Sequence, residues 1–156
     1  MKIVDTMLEN ITEILQNYCD RVGLDVTVDN DKEFYAYPND REVFYSLIVN
    51  KRQDKWFMQN AYAMGLEYDC GDFLLSFFHE VGHCETEPFL TRGQKISRTK
   101  RKKNLNGLYK KDNFIYFGLV DEKLATEWAI NYINSHKEEM KTLSTLIQKE
   151  IQKVLD

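Results

Sequence analysis

Apolar residues along the chain recur with two different periods. Over 3–18, Val4, Met7, Leu8, Ile11, Leu15 and Tyr18 follow one another at mostly three- and four-residue steps, which predicts an amphipathic helix. The period then shortens. "GLDVTVD" (23–29) alternates Leu24, Val26 and Val28 and predicts a strand. "DKEFYAYPND" (31–40) predicts a second short strand that stops at the turn signal Pro38-Asn39-Asp40. "EVFYSLIVN" (42–50), rich in aromatic and β-branched residues, predicts a third. Short links between short strands favour an antiparallel sheet.

Helical spacing returns at "DKWFMQNAYAMG" (54–65), a short helix ended by Gly65. "FLLSFFHEVGHCETE" (73–87) predicts a second helix, with Asp72 as its N-cap. Residues 85–113 hold no convincing period and read as a long loop or flap. A strand is expected around 114–117, then a helix over 121–135. A last amphipathic helix carries Met140, Leu143, Ile147, Ile151 and Val154 along one stripe. The expectation is one α+β domain over 1–156, a small mostly antiparallel sheet packed on helices, without an internal repeat.

Composition narrows the class. With 43% hydrophobic and 29% charged residues, the chain is a folded, water-soluble type and not a disordered one. No apolar run approaches the roughly 20 residues of a membrane span. Asp5, Glu9 and Glu13 interrupt the first apolar pattern, so it does not read as a secretory signal. Three cysteines, Cys19, Cys70 and Cys84, with no C-x-x-C pair, point to a reducing cytoplasm.

Charge is unevenly placed. Nine of the 21 basic residues fall between Arg92 and Lys111, a stretch with no acidic residue, so the rest of the chain carries 12 basic against 25 acidic side chains. The segment reads as a solvated loop, as a nucleic-acid contact, or as a surface for an acidic protein partner beside a cleft.

The chemistry concentrates in His79-Glu80-Val81-Gly82-His83. On a helix, residues four apart share a face, so two imidazoles converge on one metal ion, and the glutamate between them can handle an activated water. With about 100° per residue and His79 at zero, His83 falls near ~40°, Ser76 near ~60° and Glu80 near ~100°. Phe73, Leu74, Leu75, Phe77, Phe78 and Val81 take most of the rest of the circumference. A helix apolar nearly all round is buried, so its polar stripe either lines a cleft or needs partners inside the core. Two histidines at helical spacing can also be ordinary structural residues.

A third ligand has few sources. His136, the one remaining histidine, reads as a solvated helix-end residue. "DEKLATEWA" (121–129) offers Asp121, Glu122 and Glu127. Leu124, Ala125, Trp128, Ala129 and Tyr132 form its apolar face. Glu127 points about 150° from the centre of that face and Glu122 about 70°, at its edge. Asp121 is well placed as an N-cap. Glu122 is the first choice, with Asp121 and Glu127 as alternates. Ala125, Ala129 and Gly82 are small enough for two helices to approach closely, and Thr126 is placed to hydrogen-bond a ligand.

"LLSFFHEVGH" followed some forty residues later by Glu122-x-x-Ala125-Thr126-x-Trp128-Ala129 resembles the ImmA/IrrE-type zinc metallopeptidases and their small phage and mobile-element relatives. The resemblance covers roughly 42–134. It implies a gluzincin-like (zincin) fold, Zn2+ held by His79, His83 and Glu122, and Glu80 as general base and later proton donor in peptide-bond hydrolysis. The chain departs from the family's pattern in its basic spacer, and it shows no helix-turn-helix module. Tyr109, Tyr116 and His136 are the candidates for stabilising an oxyanion. The competing expectation is a zinc-containing interaction protein that does not cut its partner, meeting nucleic acid or an acidic protein through 92–111.

Overall fold

The computed structural model describes residues 2–47, 51–98 and 118–156, with 51–56 described in their backbone only. Helix α1 (Lys2–Val22) is followed by strands β1 (Asp25–Val28), β2 (Tyr35–Tyr37) and β3 (Glu42–Tyr45), with a 3-10 turn at Pro38–Asp40 between the last two. Helices α2 (Lys51–Ala63) and α3 (Asp72–Thr86) come next, then a 3-10 turn at Glu87–Phe89 and a helical segment α4 over 92–98. Helices α5 (Val120–Ser135) and α6 (Lys137–Leu155) complete the described chain. The protein is α+β, with six helices and one three-stranded sheet among the described residues.

The apolar period of α1 is realised in its buried stripe, Met7, Ile11, Leu15, Tyr18 and Cys19. This face packs on α6 and β1. From α6, Met140, Leu143 and Ile147 reach the same core, with Ile151 and Val154 at its margin. Gln16 leaves α1 sideways and works as a substitute strand. Its amide donates to Leu24 O (3.0 Å) and its Oε1 accepts from Val26 N–H (3.0 Å), closing the outer edge of β1.

The sheet corrects one expectation. Its order is β1-β3-β2, with β1 and β3 parallel and only β2 and β3 antiparallel. The short link after β1 does reverse the chain, but it carries β2 one position beyond the neighbouring place. The hairpin through Pro38–Asp40 then returns β3 into the gap. Link length constrains direction and leaves adjacency open. Tyr35 Oη donates to Asp29 Oδ2 (2.8 Å) and Asn30 Oδ1 accepts from Leu47 N–H (3.0 Å), fixing the crossing. The strand expected over 42–50 ends at Tyr45, and residues 48–50 lie outside the described part, as does the strand expected at 114–117.

Three further boundaries differ. Gly71, not Asp72, is the N-cap of α3. Its φ of 86° suits glycine, and Asp69 Oδ1 accepts from Gly71 N–H (3.0 Å) to set the turn. Leu119, not Asp121, is the N-cap of α5, and Asp121 is buried inside the first turn. The segment 85–113 is not loop in its first half. Thr91 and Gln94 make a reciprocal capping box, Gln94 N–H to Thr91 Oγ1 (3.1 Å) and Thr91 N–H to Gln94 Oε1 (2.8 Å), that starts α4. Arg98 then pairs with the buried Glu87 carboxylate (2.7 Å), with Lys95 Nζ at 3.9 Å. Two of the nine basic residues thus face the Glu87 carboxylate; Lys100 to Lys111 lie outside the described residues. No helix among those described is long and apolar enough to cross a membrane.

Arg41 joins the layers. Left-handed at φ 54°, it donates to Val22 O (2.7 Å) and Gly23 O (3.0 Å) at the end of α1, and to Glu85 Oε1 (2.7 Å) on α3. It ties a helix end, a strand start and the site-bearing helix with one side chain. Arg41→Ala removes three bonds, one of them charged at both ends, and should lower stability by about 1–3 kcal/mol. Urea unfolding checks this; a midpoint unchanged from wild type would show that the three bonds contribute nothing.

Candidate metal centre

Helix α3 is the central helix of the fold. Leu74, Leu75, Phe77, Phe78, Val81 and Cys84 are buried, along with His79, Gly82 and Thr86. Burying each of the two phenylalanines favours folding by roughly 1.5–3 kcal/mol. The helix has β2, β3, α2 and above all α5 around it. Among its less buried positions, Ser76, Glu80 and His83 form the stripe the helical projection predicts, with His79 beneath it.

Gly82 sets the separation of α3 and α5. A Cβ built there would lie 2.4 Å from Ala125 O and 3.1 Å from Ala125 Cα. Only a glycine allows this approach. It brings the first turn of α5 over the two histidines.

There Glu122 meets both rings. Its Oε2 is 2.8 Å from His79 Nε2 and 3.1 Å from His83 Nε2. The rings themselves stand edge to face, centroids 4.7 Å apart, and His79 meets the edge of Phe57 at 5.0 Å. Glu122 is 2% exposed. It lies at the middle of the buried face of α5, between Ala125 and Thr126, and not at the edge of the apolar face as the helical projection places it. The buried face has turned away from Trp128 and Leu124 because Ala125 and Ala129, not the large residues, sit against α3. Burial pushes the Glu122 carboxyl up. The charge on His83 and hydrogen bonds from both imidazoles outweigh that and hold it well below the ordinary carboxylate range. Its position in the first turn of α5 also places its negative charge at the positive end of the helix dipole.

The other sequence candidates separate cleanly. Glu80 belongs with His79 and His83 to a group whose possible ligand atoms lie within 4.8 Å of one another, and Asp121 joins His83 and Glu122 in a second such group. Glu127 faces outward, half exposed, with Lys123 Nζ at 4.0 Å. His136 is exposed at the α5–α6 junction, stacked on Tyr132 at 3.9 Å with its Nδ1 2.8 Å from Tyr132 O. Tyr109 and Tyr116 lie outside the described residues. The cysteines offer no competing nucleophile. All three are free and buried, and burial pushes each thiol up to about 12.

Asp121, an alternate ligand in the sequence and there also a cap candidate, is buried beside His83 and Glu122 and does not cap the helix. One residue near the centre escaped the sequence reading. Glu87 closes the helix of the histidines and holds Arg98, and the Thr91-x-x-Gln94 spacing was the signal that the chain folds back there.

Comparison with protein-family models, with curated proteins and with solved structures gives no significant match. The side-chain geometry is what speaks for function.

Gly82→Ala would gain up to about 1 kcal/mol in helix propensity. Forcing α3 and α5 apart should cost more, leaving a net destabilisation of about 1–3 kcal/mol. Thermal unfolding checks the sign. A variant at least as stable as wild type would mean that the helices part without cost.

Proposed function

We propose that the protein is a zinc-dependent peptidase of the gluzincin type, similar to the ImmA/IrrE family, in which His79, His83 and Glu122 hold the ion and Glu80 is the general base. The observation that carries this reading is the meeting of two imidazole nitrogens on one carboxylate oxygen at 2.8 and 3.1 Å.

The donors suit zinc. Two nitrogens and one oxygen from separate side chains match its preference for a mixed His and carboxylate set. Both imidazoles already stand within hydrogen-bonding distance of one Glu122 oxygen, so these three side chains would hold the ion without rebuilding the helices. With an ion bound, the imidazoles would ligate it in their neutral form, and the Glu122 carboxylate would supply the negative charge they then lack.

When bound, zinc supplies Lewis acidity, which makes a neighbouring water acidic enough to attack a carbonyl at neutral pH. The rest is work for the chain. The Glu80 carboxylate, half-buried one residue from His79, takes the attacking water's proton and returns it to the leaving amine. The apolar wall of α3 and Phe57 keeps bulk water from the histidines and strengthens every charge interaction there.

Purified protein should carry close to one equivalent of zinc by elemental analysis, and Glu122→Ala should lose most of it. Glu80→Gln should keep the zinc and lower cleavage of a quenched-fluorescent peptide library by about 100-fold or more. Zinc-free wild-type protein would remove the basis of the reading. Zinc-loaded wild type without cleavage of any peptide would instead favour the non-cutting interaction protein.

A further inference from the structure

We propose that the outer face of the sheet is a docking surface for an arginine-bearing basic segment of a partner protein, received by Tyr35, Tyr37 and Phe44 with Asp25 and Glu42 beside them. The inference is independent of the zinc reading, since this face points away from α3.

Strand alternation sorts the side chains. Val43 and Tyr45 of β3 are wholly buried, and the Tyr45 ring meets Phe73 of α3 at 5.8 Å. Glu42 and Phe44, which alternate with them, therefore point outward. Register carries that direction across the sheet. Phe44 is paired with Tyr35 and Thr27, and Glu42 with Tyr37 and Asp25. The outer face thus has two rows, Thr27-Phe44-Tyr35 and Asp25-Glu42-Tyr37.

Its rings form one cluster. Tyr35 and Phe44 stack at 4.3 Å, 6° from parallel, and Tyr37 stands edge-on to each at 5.5 Å. Cross-strand stacking accounts for Tyr35 and Phe44 as support of the sheet. Two observations go beyond it. Tyr37 is 48% exposed. Asp25 and Glu42 are neighbours across β1 and β3, and like charges so placed repel. Among the described residues, neither of these two carboxylates makes an ion pair or a hydrogen bond. A cation above them would remove the repulsion. The face already shows how its rings take one, because Lys32 Nζ lies 5.3 Å over the Tyr35 ring. Asp29 adds a third carboxylate, its Oδ2 accepting from Tyr35 Oη.

Charge decides the kind of partner. Exposed rings on a sheet also stack nucleic-acid bases, but three carboxylates against one lysine repel phosphate. A guanidinium suits the face better, since it lies flat on a ring and donates in its own plane to a carboxylate. The acidic excess of the chain outside 92–111 draws the same kind of partner from a distance.

The test follows binding of a labelled peptide of alternating arginine and glycine by fluorescence anisotropy. Wild type is compared with Tyr37→Ala, Tyr37→Phe, Glu42→Gln and a control for general acidity, Glu138→Gln, on the exposed first turn of α6. Circular dichroism checks that each variant keeps the fold. We expect Tyr37→Ala and Glu42→Gln each to weaken binding by about 2- to 5-fold, with Tyr37→Phe and Glu138→Gln unchanged. An equal loss in Glu138→Gln would reduce the effect to attraction by the acidic body and overturn the proposal. So would wild type that leaves the peptide unbound, or that binds an oligothymidylate more tightly than the peptide. Self-association of wild type that Tyr37→Ala abolishes would assign the face to a second copy and overturn it as well.

Discussion

Everything at the candidate centre depends on how closely α3 and α5 approach at Gly82 and Ala125. A carboxylate on one helix can touch two imidazoles on another only if the backbones nearly meet. The crossing falls three residues after His79 and one before His83 on α3. On α5 it falls three after Glu122 and one before Thr126. The four polar side chains therefore surround the contact point, two from each helix. Moving the helices apart by the width of a methyl group would break both contacts of Glu122 with the imidazoles.

The surrounding structure secures that approach. The aromatic and aliphatic face of α3, with Phe77, Phe78, Leu74, Leu75 and Val81 all buried, anchors it against the core. Arg41 ties the far end of α3, through Glu85, to the end of α1 and the start of β3. Glu87 holds the chain beyond α3 through Arg98. The charged residues near the centre thus restrain the helices as well as setting its potential. Part of the basic segment, which from its composition reads as a surface for partners, is used in the same way.

What was legible in the sequence follows from the range of the forces involved. Helices α1, α3, α5 and α6 write their burial into a local period, and Met7, Ile11 and Leu15, or Met140, Leu143 and Ile147, could be read without knowing what they pack against. His79 and His83 share a face for the same local reason. Glu122 was reachable as a choice among three carboxylates. Its central burial was not, because helix projection weighs the bulky Trp128 and Leu124 while the tertiary contact selects the small Ala125 and Ala129. The parallel pairing of β1 and β3 was hidden because strand order is a nonlocal property. Helix α4 was hidden because its stability comes from a capping box and an ion pair, and neither leaves an apolar period.

The three buried cysteines add a consequence of a different kind. Cys19 lies on α1, Cys70 in the link before α3, and Cys84 on α3 itself, one residue beyond His83. Because burial keeps each thiol protonated and out of reach, an alkylating reagent can react only when that part of the chain opens. The molecule carries three such clocks, on α1, on the link before α3 and on α3. The one on Cys84 times the helix that presents both histidines, so an ion or ligand that clamps α3 to α5 slows it.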